Sequence, residues 1–251
     1  MRSLPISRPS NASMNTLLSV RKLSKAFGAI RIATNIDFDV GEREILGVIG
    51  PNGAGKTTLF GMLSGQIKPS AGRLHFCGAD ITDLPPHERA RAGIARTYQI
   101  PRPFGQMTVL DNLHVAAHFS GNLSREKTTE WITEVLAITG LRPHADTPAG
   151  RLTLLLRKRH ELARALAMRP KLLLIDEVAA GLTQEEVSEF IELVRLIRGM
   201  GTGIVWVEHV IRTMLTATDR LMVLDGGEIL AVGDPHDVIN RPEVKRVYLG
   251  A

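Results

Sequence analysis

The run Gly50-Pro51-Asn52-Gly53-Ala54-Gly55-Lys56-Thr57-Thr58 lies between the apolar stretch Ile45 to Ile49 and an apolar helical pattern, and it constrains the fold more than any other part of the chain. A strand, a glycine-rich turn and a helix in that order present consecutive backbone N–H groups at a helix N-terminus, where they surround phosphate oxygens. Gly50, Gly53 and Gly55 let the backbone turn inward, Lys56 brings a cation to the β/γ oxygens, and Thr57 offers its hydroxyl to Mg2+. The run reads as a nucleoside triphosphate loop, and the strand that feeds it demands an α/β core.

The remaining segments supply that core. Leu17 to Leu23 and Ile32 to Val40 alternate as two antiparallel strands, with Phe27-Gly28 in the turn. Leu59 to Leu63 continues a short helix that Gly65 ends, and Arg73 to Cys77 predicts a strand before a Cys77-Gly78 turn, with Cys77 as a buried apolar residue. From Thr108 to Leu141 the period is helical: Val109, Leu110 and Leu113 form one cluster, and Trp131, Ile132, Val135 and Leu136 form a second. These predict a small helical subdomain in which Trp131 packs. The strand Leu172 to Ile175, the helix Gln184 to Gly199 and the strand Gly203 to Val207 restore the alternation that implies a largely parallel sheet. Thr183 and Glu186 make a capping box ahead of a buried stripe of Val187, Phe190, Ile191 and Val194. Leu221 to Leu224 and Ile229 to Val232 flank the turn Asp225-Gly226-Gly227-Glu228, and short helices near Val238 and Val244 close the chain. Residues 1–13 read as a loose tail, with Met14 an alternative start, and residues 14–251 as one domain with the helical subdomain inserted around residues 100–165.

Composition excludes little. The longest apolar runs, such as Leu172 to Ile175, fall far short of the roughly 20 residues that span a bilayer. The formal charge of +5 suits ATP, anionic headgroups or nucleic acid alike. A single cysteine forms no internal disulfide and fits a reducing, cytoplasmic compartment.

The segment Leu172-Leu173-Leu174-Ile175-Asp176-Glu177 is a buried strand that ends in two carboxylates, and in a parallel sheet such a strand delivers them to the ligand crevice. Asp176 is placed to hold Mg2+, partly through water, and Glu177 to polarise an attacking water as general base. The strand Gly203 to Val207 likewise runs into Glu208-His209, where the histidine contacts the γ-phosphate or holds base and water in line.

Phosphate loop, Gln99, Asp176-Glu177 and His209, in this order and at these intervals, resemble the ATP-binding cassette (ABC) ATPases across nearly the whole chain. The resemblance implies an α/β P-loop NTPase of the ABC ATPase type, with a mostly parallel core sheet, an antiparallel β subdomain and a small α-helical subdomain. It also implies that Gln99, in Ala95-Arg96-Thr97-Tyr98-Gln99, reaches Mg2+ and the water, and that Phe27 stacks on adenine. The stretches Gly93 to Phe104, Met107 to Asn112, Asp176 to Leu182 and Val247-Tyr248-Leu249-Gly250 look like the ATPase subunits of branched-chain amino acid importers. Related cassettes serve urea, aromatic compounds and lipopolysaccharide export. The implied enzyme hydrolyses ATP with Mg2+ at the cytoplasmic face of the inner membrane, peripherally. Its implied partners are transmembrane permease subunits, whose coupling helix enters a groove near Gln99, a second ATPase subunit and, indirectly, a periplasmic binding protein. A soluble cassette acting on ribosomes or DNA is disfavoured, because the chain is neither two fused copies nor interrupted by coiled-coil or zinc insertions. Nucleic acid is therefore not an expected partner. A regulatory subunit without turnover is the third reading, and Glu177 argues against it.

One segment departs from the family. Where ABC ATPases carry Leu-Ser-Gly-Gly-Gln, this chain has Leu152-Thr153-Leu154-Leu155-Leu156. In the family that segment presents a hydroxyl, backbone N–H groups and a helix N-terminus to the γ-phosphate of the opposite subunit. Thr153 keeps a hydroxyl, but Leu155 and Leu156 add bulk where close backbone approach is expected. Ala180-Gly181-Leu182-Thr183 also lacks the usual terminal aspartate. Both departures imply a heterodimer, in which a different subunit supplies the intact signature, in preference to a homodimer.

Overall fold

The computed structural model describes residues 16–120 and 124–249. The tail 1–13, Met14 and Gly250 of the C-terminal stretch lie outside the described residues. Strands β1 (Thr16–Phe27) and β2 (Ile30–Gly41) form a long antiparallel hairpin that turns between Phe27 and Ile30. β3 (Ile45–Ile49) leads into the phosphate loop and α1 (Lys56–Ser64), which Gly65 ends in a left-handed conformation. β4 (Ala71–Phe76) pairs with β1 and with the short β5 (Ala79–Asp80), completing a four-stranded antiparallel sheet in the order β2-β1-β4-β5.

Cys77 corrects the sequence reading. β4 stops at Phe76, so Cys77 falls in the turn with a φ of 49° and its thiol is exposed rather than buried. The pairing Phe76↔Ala79 closes the ladder one residue earlier than the apolar pattern suggests.

Two further elements, α2 (Pro86–Ala92) and β6 (Ile94–Arg96), have no clear periodicity in the sequence. α2 is fixed by one buried cation. The guanidinium of Arg89 donates to the carbonyl of Leu63 at 3.0 Å, in the last turn of α1 where carbonyls lack a helical partner, and to that of Thr82 at 2.9 Å in the segment before α2.

The helical layer consists of α3 (Val109–Ser120), α4 (Arg125–Ile138) and α5 (Leu154–Ala167), which pack on one another. Trp131 is a packing residue, as expected; its indole N–H donates to the Leu166 carbonyl at 3.1 Å. β7 (Leu172–Asp176), α6 (Gln184–Gly199), β8 (Gly203–Val207), α7 (Ile211–Ala217), β9 (Arg220–Asp225), β10 (Glu228–Gly233), α8 (Pro235–Asn240) and α9 (Pro242–Leu249) complete the fold. The capping box at α6 is present, with Glu186 N–H on Thr183 Oγ1 at 3.2 Å and Thr183 N–H on Glu186 Oε2 at 2.8 Å.

The main sheet runs β10-β9-β3-β8-β7-β6, and every pairing from β9 to β6 is parallel. β3, β7 and β8 are buried along their whole length, so they read as continuous apolar runs. Period-2 alternation then divides them between two cores. Leu173 and Ile175 join the helices on one face, while Leu172 and Leu174 join the antiparallel sheet and α1 on the other. With β3 and β7 flanking β8, the C-terminal ends of all three strands open on one edge of the sheet. The loops that leave those three ends, with the one that follows β6, form the site.

Candidate nucleotide site

The phosphate loop is pinned on both sides. A Cβ on Gly50 would stand 2.3 Å from the Leu224 carbonyl oxygen, and one on Gly55 would stand 2.6 Å from that of Ile32, with Gly55 at a φ of 98°. Only glycine fits there, so the loop lies close against β2 and the end of β9. α1 begins at Lys56 with no side-chain cap and no acidic residue in its first turn, which leaves its N-terminal N–H groups and dipole for an anion. Lys56 is buried, and its ammonium donates to the carbonyls of Gly50 and Pro51 at 2.7 and 3.0 Å. Burial lowers its pKa, while Glu177 and Asp176 pull in the opposite direction. Thr57 beside it is exposed.

A cleft of about 220 Å3 follows the loop from Asn52 to Thr58 and is also lined by Ile32, Glu177 and His209. Glu177 leaves β7 with a φ of 45°, a left-handed conformation that costs a non-glycine residue roughly 1–3 kcal/mol. Its own N–H on the Val207 carbonyl at 3.0 Å holds that turn to β8. The consequence is a carboxylate aimed across the crevice. One oxygen meets His209 Nε2 at 2.5 Å, and the other accepts from the amide of Gln99. Three residues from three separate loops therefore converge on one group.

Asp176 is 8% exposed and sits deeper. Its Oδ2 lies 2.7 Å from Arg96 Nη2, and its N–H donates to Thr97 Oγ1 at 3.2 Å. Among the described residues no cluster of three or more His, Cys, Asp or Glu side chains forms a metal cage. Mg2+ binds by one or two protein oxygens, substrate phosphates and water rather than by such a cage, so the hydroxyl of Thr57 and the carboxylate of Asp176 are a fitting donor set.

Two sequence-derived groups stand apart from the cleft wall. Phe27 ends β1, 52% exposed as a residue, with Lys25 Nζ 4.8 Å from its ring centroid, whereas Ile32 of the same hairpin lines the cleft. Leu152 to Leu156 form the entry to α5, and none of them lines the cleft of their own chain. Thr153 caps α5 with an exposed hydroxyl that makes no cap bond, and Leu154 projects at 48% exposure against Gly181.

Sequence reasoning missed Lys158 and Glu208. Lys158 is buried in α5, where its ammonium donates to the carbonyls of Val178 and Ala180. Glu208, 2% exposed, accepts from the Ala179 N–H at 2.7 Å and from the Trp206 indole at 3.4 Å. Burial pushes the Glu208 carboxyl pKa up and the Lys158 ammonium pKa down. Together the two side chains grip the main chain on either side of Ala179, immediately after Glu177. Position after a buried strand hinted at Glu208; nothing in the sequence pattern marked Lys158.

A family model described as ABC transporter matches residues 33–180, which holds the loop, Gln99 and the β7 carboxylates. The chain belongs to the ABC transporter family. It is 36% identical over 253 residues to the high-affinity branched-chain amino acid transport ATP-binding protein LivG of Salmonella typhimurium, covering 93% of this chain and 98% of that protein. It is also 36% identical over 237 residues to the lipopolysaccharide export system ATP-binding protein LptB of Acidithiobacillus ferridurans, covering 94% and 98%. Among solved structures, the ADP conformation of an ATP-binding cassette of an ABC transporter superposes with a TM-score of 0.85 at 29% identity, over 94% of this chain and 99% of that one. This chain is thus an ATPase cassette of the ABC family, similar to a transport ATP-binding protein and to a cassette solved in its ADP conformation. Among its described residues no helix is long and apolar enough to cross a membrane.

Proposed function

We propose that this chain is the ATP-hydrolysing subunit of an importer of branched-chain amino acids or a related small polar solute, held on the cytoplasmic face of the inner membrane by permease subunits. One observation carries the catalytic half: Glu177 is held between Gln99 and His209 at the cleft that also contains Lys56. In this reading Lys56 and the N–H groups of Gly50 to Thr58 grip the β/γ-phosphates, and Phe27 stacks on adenine. Thr57 and Asp176, with Gln99, hold Mg2+ partly through water. When bound, the ion neutralises charge on the phosphates. Glu177 takes the proton of the attacking water, and His209 keeps that carboxylate aimed. Likeness to LivG along nearly the full length of both chains supports the cargo class.

Position by position the two glycines of the signature fall at Leu154 and Leu155, one residue ahead of the pair Leu155 and Leu156 named from the sequence, and this leucine run supports a heterodimer. A partner with an intact signature completes this chain's site, whereas the site completed by this chain's α5 is the weaker one. A groove of about 300 Å3 lined by Gln66, His87, Tyr98 and Met168, between α1–α2 and the helical layer, is the proposed seat of the permease's coupling helix.

Equal identity to LptB favours lipopolysaccharide export as the second reading. Deleting the gene and measuring uptake of labelled leucine, isoleucine and valine separates the two. Uptake should fall, return with the wild-type gene, and stay low with Glu177→Gln. Unchanged uptake accompanied by a loss of surface lipopolysaccharide would overturn the importer reading.

A further inference from the structure

Arg96 lies at the end of β6 and takes no part in the proposed hydrolysis. Its side chain is 10% exposed, and the guanidinium makes contacts in two directions. Inward, Nη2 holds Asp176 Oδ2 at 2.7 Å. Outward, Nη1 donates to Gln66 Oε1 at 2.9 Å and to Ser64 Oγ at 3.3 Å, and Gln66 in turn donates to the Tyr98 hydroxyl at 2.7 Å. Phe60 and Tyr98 flank the guanidinium, with centroids 5.6 and 5.2 Å from its carbon. Arg96, Gln66 and Tyr98 all line the groove between α1–α2 and the helical layer.

We infer that Arg96 is a positioning residue that sets the metal affinity of Asp176 and ties it to the state of that groove. A guanidinium in contact with a carboxylate offsets the charge the carboxylate offers to a cation, and at low exposure this effect is poorly screened. The same contact fixes the carboxylate's orientation, so loosening the pair strengthens cation binding while degrading alignment. Among the described residues the buried Nε of Arg96 has no hydrogen-bond partner, and the guanidinium is held by its two terminal nitrogens and by stacking. A body entering the groove meets Tyr98, 40% exposed, and through Gln66 acts on the nitrogens that hold Asp176. The inference rests on the proposed roles of Asp176 and of the groove.

The test uses the full chain with ATP and Mn2+ as a paramagnetic stand-in, so that affinity is read by electron paramagnetic resonance independently of turnover. Arg96→Met keeps an apolar stem between Phe60 and Tyr98 but removes the charge. It should bind Mn2+ several-fold more tightly and lower kcat with little change in KM for ATP. Arg96→Lys, which retains a charge and guards against misfolding of the first variant, should leave Mn2+ affinity near wild type. Tyr98→Ala, which keeps the Arg96–Asp176 pair but removes the ring and hydroxyl on its groove side, should shift Mn2+ affinity in the direction of Arg96→Met and by less. Unchanged Mn2+ affinity in Arg96→Met overturns the inference, and an unchanged value in Tyr98→Ala alone overturns its link to the groove. Absence of nucleotide-dependent Mn2+ binding in the wild type would instead reject the proposed function.

Discussion

His209 Nε2 stands 2.5 Å from Glu177 Oε1, joining the loop after β8 to the loop after β7 across the mouth of the cleft. The contact explains how a residue with left-handed backbone keeps a single side-chain direction: Gln99 occupies the opposite oxygen. Both neighbours direct these side-chain hydrogen bonds to Glu177 rather than to the phosphate loop, so in the proposed function the grip on the phosphates and the activation of water fall to separate groups.

That separation gives the first expectation. Glu177→Gln keeps the shape and still accepts a hydrogen bond, but it no longer takes a proton. Turnover should drop by about 10²–10⁴, the usual worth of a general base, while equilibrium binding of ATP stays within a few-fold of wild type. Phosphate release and fluorescent-nucleotide titration measure the two halves; undiminished turnover would reject the base assignment.

Phe27 is an exposed residue with a lysine at hand. Replacement by alanine should weaken ATP binding by roughly 1–3 kcal/mol, whereas tryptophan should preserve it. Equal weakening of ATP and of inorganic triphosphate would show that the ring does not read the base.

The signature segment predicts an asymmetric machine. Turnover by this chain alone should be low and should rise when a signature-competent partner is added. Leu154→Gly with Leu155→Gly, which opens the entry to α5, should raise the activity of the chain alone. Identical rates with and without a partner would remove the argument.

His160 carries a prediction about acid stability. It is fully buried in α5, neither ring nitrogen has a partner of normal hydrogen-bond geometry among the described residues, and burial followed by the nearby Arg164 charge pushes its pKa down to about 4. The backbone of Val109 offsets this only slightly. An unfolded imidazole protonates near 6.5, so between those values the unfolded chain binds the extra proton. Stability is therefore present above about pH 6.5 and is lost as pH falls toward 4, by about 3 kcal/mol in total. Glu161 and Glu208, whose folded pKa values are raised, act in the opposite sense. Comparison with His160→Leu cancels their effect. That variant should lose less stability on acidification in urea titrations; parallel pH profiles for the two proteins would refute the assignment.

Periodic elements were legible in the sequence. α6 and β8 fall where the apolar stripe and the buried run put them, and the capping box marks the start of α6 to the residue. α2 and β6 were not, because α2 is a seven-residue helix held by Arg89 rather than by an apolar face, and β6 has only three residues. Cys77 failed for a different reason: alternation does not reveal where a hairpin's ladder stops. At the site, motif residues carried by consecutive positions could be read, while Lys158 and Arg96 could not. Their partners lie about 20 and 80 positions away, and only the folded chain brings them together.

Lys158 and Glu208 hold their shared segment by its peptide groups and never by its side chains. The path of residues 178 to 180 is thus fixed independently of what those residues are. Exchanges at Val178, Ala179 or Ala180 that respect the available space should be tolerated, whereas neutral replacements at either gripping residue should let the stretch wander. Evolutionary latitude in this chain is accordingly uneven: the strip beside Glu177 is free to change its lettering so long as two distant residues keep its course.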